Sequence, residues 1–198
     1  MPARYELMVM KQGTSDPGTA PIKLPAGVLN AVPEEGAIEY DGYDLYFTPD
    51  GGFRMTMKAI FGYGNTGSIV SMTNLVSNTG VVSADVTGVG TARYGLAAAG
   101  YGGDKAIFGY GYSVSIVSMT NLVSNTGVVS ADVTGVGTAR YPLAAAGYGG
   151  DKAIFGYGST GSGVSMTNLV SNTGVVSADV TGVGTARFYL AAAGYSLS

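Results

Sequence analysis

Val70–Val76 reads Val-Ser-Met-Thr-Asn-Leu-Val, with apolar and polar residues in near alternation. A period of two puts one set of side chains on one face, which predicts a half-buried strand. Before it, Lys58–Phe61 forms a short apolar strand closed by Gly62-Tyr63-Gly64. After it comes Ser77-Asn78-Thr79-Gly80, where Asn and Gly accept the positive φ of a tight turn. Val81–Val86 is predicted as a third strand, followed by Thr87-Gly88-Val89-Gly90. Leu96–Ala99 is a fourth, and its small residues predict a tightly packed inner strand. No segment of this pattern offers ten helix-forming residues in a row, so the fold class is all-β.

This pattern is repeated. Lys58-Ala59-Ile60-Phe61-Gly62-Tyr63-Gly64 returns at 105–111 and at 152–158, a period of 47 residues in both steps. Residues 58–198 therefore hold three whole repeats, 58–104, 105–151 and 152–198, behind a separate leader of residues 1–57. Four strands in about 47 residues is the size of a propeller blade. Blades built across the repeat boundary leave the first short of a strand and the last strand left over. Three blades also fall below the usual four to eight. The expected solution is completion by oligomerisation, with a homotrimer favoured, because unpaired strand edges otherwise aggregate. The repeats differ mainly at Asn65-Thr66-Gly67, Tyr112-Ser113-Val114 and Ser159-Thr160-Gly161, which are expected on one exposed rim.

The leader is built differently. Gln12–Pro21 is rich in Gly, Ser, Thr and Pro and reads as an extended loop. Ala37–Thr48 reads as a hairpin, with Asp41-Gly42 suited to a two-residue type I′ turn. The leader carries eight of the 13 acidic residues and four of the ten basic ones, so it is −4 and the repeats are +1.

Composition removes several classes of function. The chain contains no Cys and no His, which excludes disulfides, zinc sites built on those residues, Cys nucleophiles and His-based triads. No cofactor or metal is expected. A net charge of −3 without a basic face argues against a nucleic-acid partner. No apolar run reaches about 18 residues, so no membrane span is expected. The 33 glycines and 14 tyrosines in 198 residues, with only 12% charged, point away from disorder.

The candidate chemistry is sparse. Gly62–Gly67 and Gly156–Gly161 match G-x-G-x-x-G, but no helix follows to present its N-terminus to a phosphate, and Val114 breaks the pattern in the second repeat. The motif reads as a turn. Asp85, Asp132 and Asp179 recur once per repeat, as do Arg93, Arg140 and Arg187, each eight residues after its Asp. The simplest expectation is an ion pair between neighbouring strands across the Gly-Val-Gly turn, or an Arg capping backbone carbonyls; the alternative is a ring of carboxylates around a cation. Tyr63, Tyr110 and Tyr157 recur within glycine turns beside Asn65, Tyr112 and Ser159. Exposed there, these six residues suit sugar stacking and hydrogen bonding; buried, the tyrosines suit packing between repeats or subunits. No acid pair suited to hydrolysis recurs, so no enzymatic activity is expected.

Two resemblances extend this reading. Leu96-Ala97-Ala98-Ala99, then a tight turn, then Lys105-Ala106-Ile107-Phe108-Gly109 resembles the order of features in kelch repeats, without their double glycine and without tryptophan. Pro21-Ile22-Lys23-Leu24-Pro25-Ala26-Gly27, Pro33-Glu34-Glu35-Gly36-Ala37-Ile38-Glu39-Tyr40-Asp41-Gly42, Leu45-Tyr46-Phe47-Thr48 and Arg54 together resemble a segment of tailed-phage virion proteins. The glycine-rich repeats are similar to those in fibres of marine and cyanobacterial phages. The resemblance implies a virion location and a structural appendage, most simply a tail fibre. In that role the leader contacts other virion proteins and the repeats contact a host-surface polysaccharide. A capsid decoration or head-fibre protein is the alternative, and a glycan depolymerase a further one.

Overall fold

The computed structural model describes residues 38–40, 45–47 and 58–195. The chain divides into two units, 1–55 and 56–198, each taken here by itself. In the first, β1 (Ile38–Tyr40) pairs antiparallel with β2 (Leu45–Phe47). The pairing of Tyr40 with Leu45 leaves four residues between the strands, so the expected two-residue connection at Asp41-Gly42 is corrected to four. Gln12–Pro21 lies outside the described residues.

The second unit is all-β. β3 (Ala59–Asn65) and β4 (Ile69–Val76) form a two-stranded sheet. β5 (Ala97–Tyr101), β6 (Lys105–Gly109) and β7 (Thr120–Val123) form a three-stranded sheet in that order. β8 (Ala144–Tyr148), β9 (Lys152–Gly156) and β10 (Thr167–Val170) form another, with β9 central. Every pairing is antiparallel, and the register advances by one sequence period: Ala97 faces Gly109, and Ala144 faces Gly156. Each complete sheet thus takes its Ala-rich strand from the end of one repeat and its other strands from the next. No described helix is long and apolar enough to cross a membrane.

The strand expected at Val81–Val86 is present only as bridges, Val76 to Val82 and Thr73 to Val86. Serine explains the interruption. Ser83 Oγ accepts the Leu75 N–H at 3.0 Å, and Ser77 Oγ accepts the Val81 N–H at 3.0 Å. Side-chain oxygens thereby take donors that a regular ladder would pair with backbone carbonyls.

Glycine lets the sheets meet closely. Phe108 packs edge-on against Tyr63, ring centroids 5.2 Å apart, and Phe155 lies 5.1 Å from Tyr110. A Cβ on Gly109 would stand 2.5 Å from the Phe155 ring, so only glycine leaves room for this phenylalanine. The core follows these contacts: Phe108 clusters with Tyr63, Val123 and Val129, and Phe155 with Tyr110, Ile107 and Val170. At the inner edge the Ala-rich segments stack, with a Cβ on Gly147 reaching 3.6 Å from the Gly100 carbonyl and one on Gly194 reaching 2.7 Å from the Gly147 carbonyl. The small residues of the expected inner strand are what this approach needs.

Gly109→Ala is expected to cost about 1–3 kcal/mol, the usual penalty for overpacking. Gly100→Ala places its Cβ in ordinary contact, 3.6 Å from the Lys105 carbonyl. It is expected to shift stability by no more than about 0.5 kcal/mol. Urea unfolding followed by tyrosine fluorescence checks both values.

Candidate functional site

The recurrent polar residues converge between successive repeats. Arg93 is fully buried. Its Nε donates to the Tyr110 carbonyl at 2.9 Å, Nη1 to the Thr91 carbonyl at 3.0 Å and Nη2 to Asn121 Oδ1 at 2.5 Å. Its carbon Cζ lies 4.4 Å from the Tyr63 ring centroid. Arg140 repeats the arrangement one period on, with Tyr157, Thr138, Asn168 and the ring of Tyr110. Each guanidinium therefore leaves its own repeat and enters the next.

The carboxylates close the junction from the other side. Asp132 lies 3.8 Å from Arg93 Nη1, and Asp179 lies 4.0 Å from Arg140 Nη1. For Arg93 and Arg140 the expected pairing with the Asp eight residues before is thus corrected to the Asp of the following repeat, while the expected capping of carbonyls is observed. Asp132 also accepts from the Thr91 N–H, the Thr91 hydroxyl and Asn121 Nδ2. A turn makes this reach possible. Gly90 has φ of 74°, and a Cβ there would collide with Asp132 Oδ1 and Asn121 Nδ2. Asn121 and Asn168 were not legible as partners from spacing alone. Their signal is an asparagine at one fixed position of every repeat, Asn74, Asn121 and Asn168, inside a strand.

The environment sets the charge states. Burial pushes the Asp132 and Asp179 carboxyls up and is the largest single influence on each. Hydrogen bonds from Thr91 and Asn121, or Thr138 and Asn168, together with the neighbouring Arg, outweigh it and hold both below the usual carboxylate range. Burial lowers Arg93, against the pull of Tyr63 and Asp132. The Tyr63 and Tyr110 phenols are raised, mainly by burial.

The six tyrosine-turn residues divide between roles. Tyr63 and Tyr110 are buried, their hydroxyls donating to the Val89 and Val136 carbonyls at 3.1 Å. Of the two readings of these tyrosines, packing between repeats is the observed one, and the exposed, sugar-stacking reading does not hold for Tyr63 and Tyr110. The cause is backbone geometry. Tyr63, Tyr110 and Tyr157 have φ of 63°, 63° and 60°, and the register shifts between Gly62 and Gly64. This bulge turns the ring inward. Tyr157 is half-buried, with Arg187 Cζ 4.3 Å from its ring centroid. Asn65 is exposed and accepts the Gly67 N–H at 2.7 Å, and half-buried Ser159 does the same for Gly161 at 3.1 Å. Tyr112 joins Tyr94 and Tyr141 in a half-buried aromatic cluster with centroids 5.2–5.5 Å apart. None of the nine variable-turn residues is buried; six are exposed, and Tyr112, Ser113 and Ser159 are half-buried.

The motifs resembling a nucleotide loop begin in strands, Gly62–Asn65 in β3 and Gly156 at the end of β9, and the chain reverses after them, with positive φ at Gly64, Gly67, Gly158 and Gly161. The strand β4, not a helix, follows the first of them.

Arg140→Ala is expected to destabilise the chain by about 3–5 kcal/mol, the range for breaking a buried pair from one side. Arg140→Lys is expected to recover little, since one ammonium cannot replace a planar fork reaching three acceptors. Acid should act on the same junctions. A carboxyl lowered in the folded state contributes stability that is complete above the unfolded value of about 3.9 and is lost as pH falls through the folded one. Replacing Asp132 and Asp179 together by Asn is expected to flatten the acid limb of stability against pH, measured by urea unfolding at a series of pH values. No protein-family model matches the chain, and no curated protein matches it.

Proposed function

We propose that this chain is a structural virion protein of a tailed phage, of the tail-fibre type. In this reading the leader docks onto other virion proteins, and the repeats form a self-associating β-rich module, with a homotrimer favoured. The observation that carries the structural half of the reading is how the recurrent polar groups are used. Arg93, Arg140, Asn121, Asn168, Asp132 and Asp179 are all engaged in joining one repeat to the next. Such groups build an array with a repeating exterior rather than a convergent reaction centre. The virion half is supported by the leader's resemblance to virion proteins.

A second reading has its own support. The Tyr94, Tyr112 and Tyr141 rings gather beside the variable rim and offer aromatic faces with hydroxyls, a surface suited to a sugar. Contact with a host-surface polysaccharide would then be weak at each chain and strengthened by multivalency, by about 10²–10⁴-fold in linked sites.

Immunogold labelling of purified virions with antibody to this chain is expected to mark the tail. Label on the head would favour a capsid decoration or head-fibre protein instead, and absence from virions would end the proposal. For the second reading, Tyr112→Ala combined with Tyr141→Ala is expected to weaken binding to extracted host polysaccharide at least about tenfold, or 1.4 kcal/mol. Unchanged binding would remove the cluster from the site.

A further inference from the structure

The two end faces of the repeat unit carry complementary halves of the junction found twice inside it. At the C-terminal side, Arg187 is exposed. It donates to the Thr185 carbonyl at 3.2 Å and lies over Tyr157, and among the described residues it meets no Asn or Asp. Its counterparts Arg93 and Arg140 each hold an Asn and an Asp of the next repeat. At the N-terminal side the receiving half is already assembled with no arginine among the described residues: Asn74 Nδ2 donates to the Ser83 carbonyl at 3.1 Å and to Asp85 Oδ1 at 2.8 Å. Asn121 makes the same two bonds where Arg93 is in place.

Packing gives the same answer independently. Phe61 is 62% exposed, whereas Phe108 and Phe155, one and two periods on, are 3% and 0% exposed beneath the preceding repeat. Gly109 lies under Phe155, while a Cβ on Gly156 would meet only Thr167, so the equivalent seat in the last repeat is open. Tyr101 is 4% exposed under Gly174, and its counterpart Tyr148 is 39% exposed.

Backbone pairing makes a third match. Among the described residues, the sheet of β3 and β4 has no counterpart of the Ala-rich strand that β5 and β8 supply to the other two. A groove of about 190 Å³, lined by Ile60, Phe61, Gly62, Leu96, Ala97 and Phe108, among others, runs along that edge. Residues 191–195, Ala-Ala-Ala-Gly-Tyr, are the same segment one period after β8, and they belong to no described strand.

We infer that copies of this chain join head to tail, the C-terminal face of the third repeat of one copy receiving the N-terminal face of the first repeat of another. Residues 191–195 add to β3 of the second copy as its missing strand, with Ala191 opposite Gly62 and Gly194 opposite Ala59, the register of the two complete sheets. Arg187 enters between Asn74 and Asp85 of the second copy, and Phe61 of the second copy covers Gly156 and Tyr157. The contact is heterologous, so it closes into a ring where the rotation between copies permits and otherwise extends as a fibre. This inference rests on the self-association proposed above and specifies its surface.

The test uses the full chain and two single substitutions at exposed positions. Sedimentation of the unaltered protein at about 10–100 μM, the range where interfaces of modest affinity are populated, is expected to show assemblies. Arg187→Glu removes one face and Phe61→Arg the other, and each is expected to raise the dissociation constant at least about tenfold. Circular dichroism of the variants is expected to match that of the unaltered chain, and thermal unfolding to match it at concentrations below the association range, which separates lost association from lost folding. Mixing the two variants is the decisive step, because each keeps the face the other lacks: a 1:1 complex is expected. A monomeric unaltered chain would overturn both the interface and the self-association. Assemblies that survive both substitutions, or variants that fail to recombine, would overturn the head-to-tail surface while leaving self-association through another face standing.

Discussion

A guanidinium buried between two repeats is the constraint on which the rest of the second unit depends. Removing such a charge from water costs several kcal/mol unless its donors are satisfied and a counter-charge is near. Arg93 meets that condition only with groups from two repeats at once: Thr91 from its own, and Tyr110, Asn121 and Asp132 from the next. The requirement fixes the spacing between sheets, the direction of stacking and the register. A slip of one residue would turn Asn121 to the opposite face of its strand and leave the arginine without it.

The glycines and the left-handed tyrosines follow from this centre. Gly90 and Gly137 take positive φ so that the Thr-Gly-Val-Gly turn can press on the next repeat's Asn and Asp. Tyr63 and Tyr110 adopt a conformation that bulky residues seldom accept, at a cost of roughly 1–3 kcal/mol each. In return each ring stacks on an arginine and meets the phenylalanine of the following repeat, and each hydroxyl finds a carbonyl. The Gly-Tyr-Gly segment is thus a bulge that aims an aromatic ring inward, although the same letters also suit an exposed turn.

Alternation and punctuation by turn residues made much of the fold legible. The strand around Val70–Val76 and the Ala-rich strand both lie where a period of two and small side chains place them. The segment Val81–Val86 has the same alternation and fails as a strand because serine hydroxyls take over backbone donors, a competition that hydrophobic pattern does not register. The junction was legible only in its membership. Asp85 and Arg93 are eight residues apart and invite pairing, but copies of one sequence do not reveal whether a contact forms within a repeat or between repeats. Asn121 and Asn168 stand at a fixed position of every repeat, but that recurrence gains a meaning only once a buried donor is placed opposite them. The variable turns were legible for the opposite reason: none of their side chains is fully buried, so they are free to differ.

In an array of near-identical units, stability is approximately a sum of what each unit holds by itself and what each junction adds. Here the unit by itself holds little. The first sheet has two strands, and a lone hairpin is marginal in water. The junctions carry the buried arginines and the aromatic contacts. Such a division makes neighbours obligatory, and identical copies supply them most simply, because one sequence then encodes both halves of every junction. It also explains why the copies differ where they do. A substitution in Arg, Asn, Asp or the inward tyrosine must satisfy two repeats together, whereas the side chains of Asn65 and Ser159 each bond only within their own turn. The interior of the array is held constant by its own geometry, and its rim is where new surface chemistry, such as the tyrosine cluster at Tyr94, Tyr112 and Tyr141, can arise without disturbing the stack.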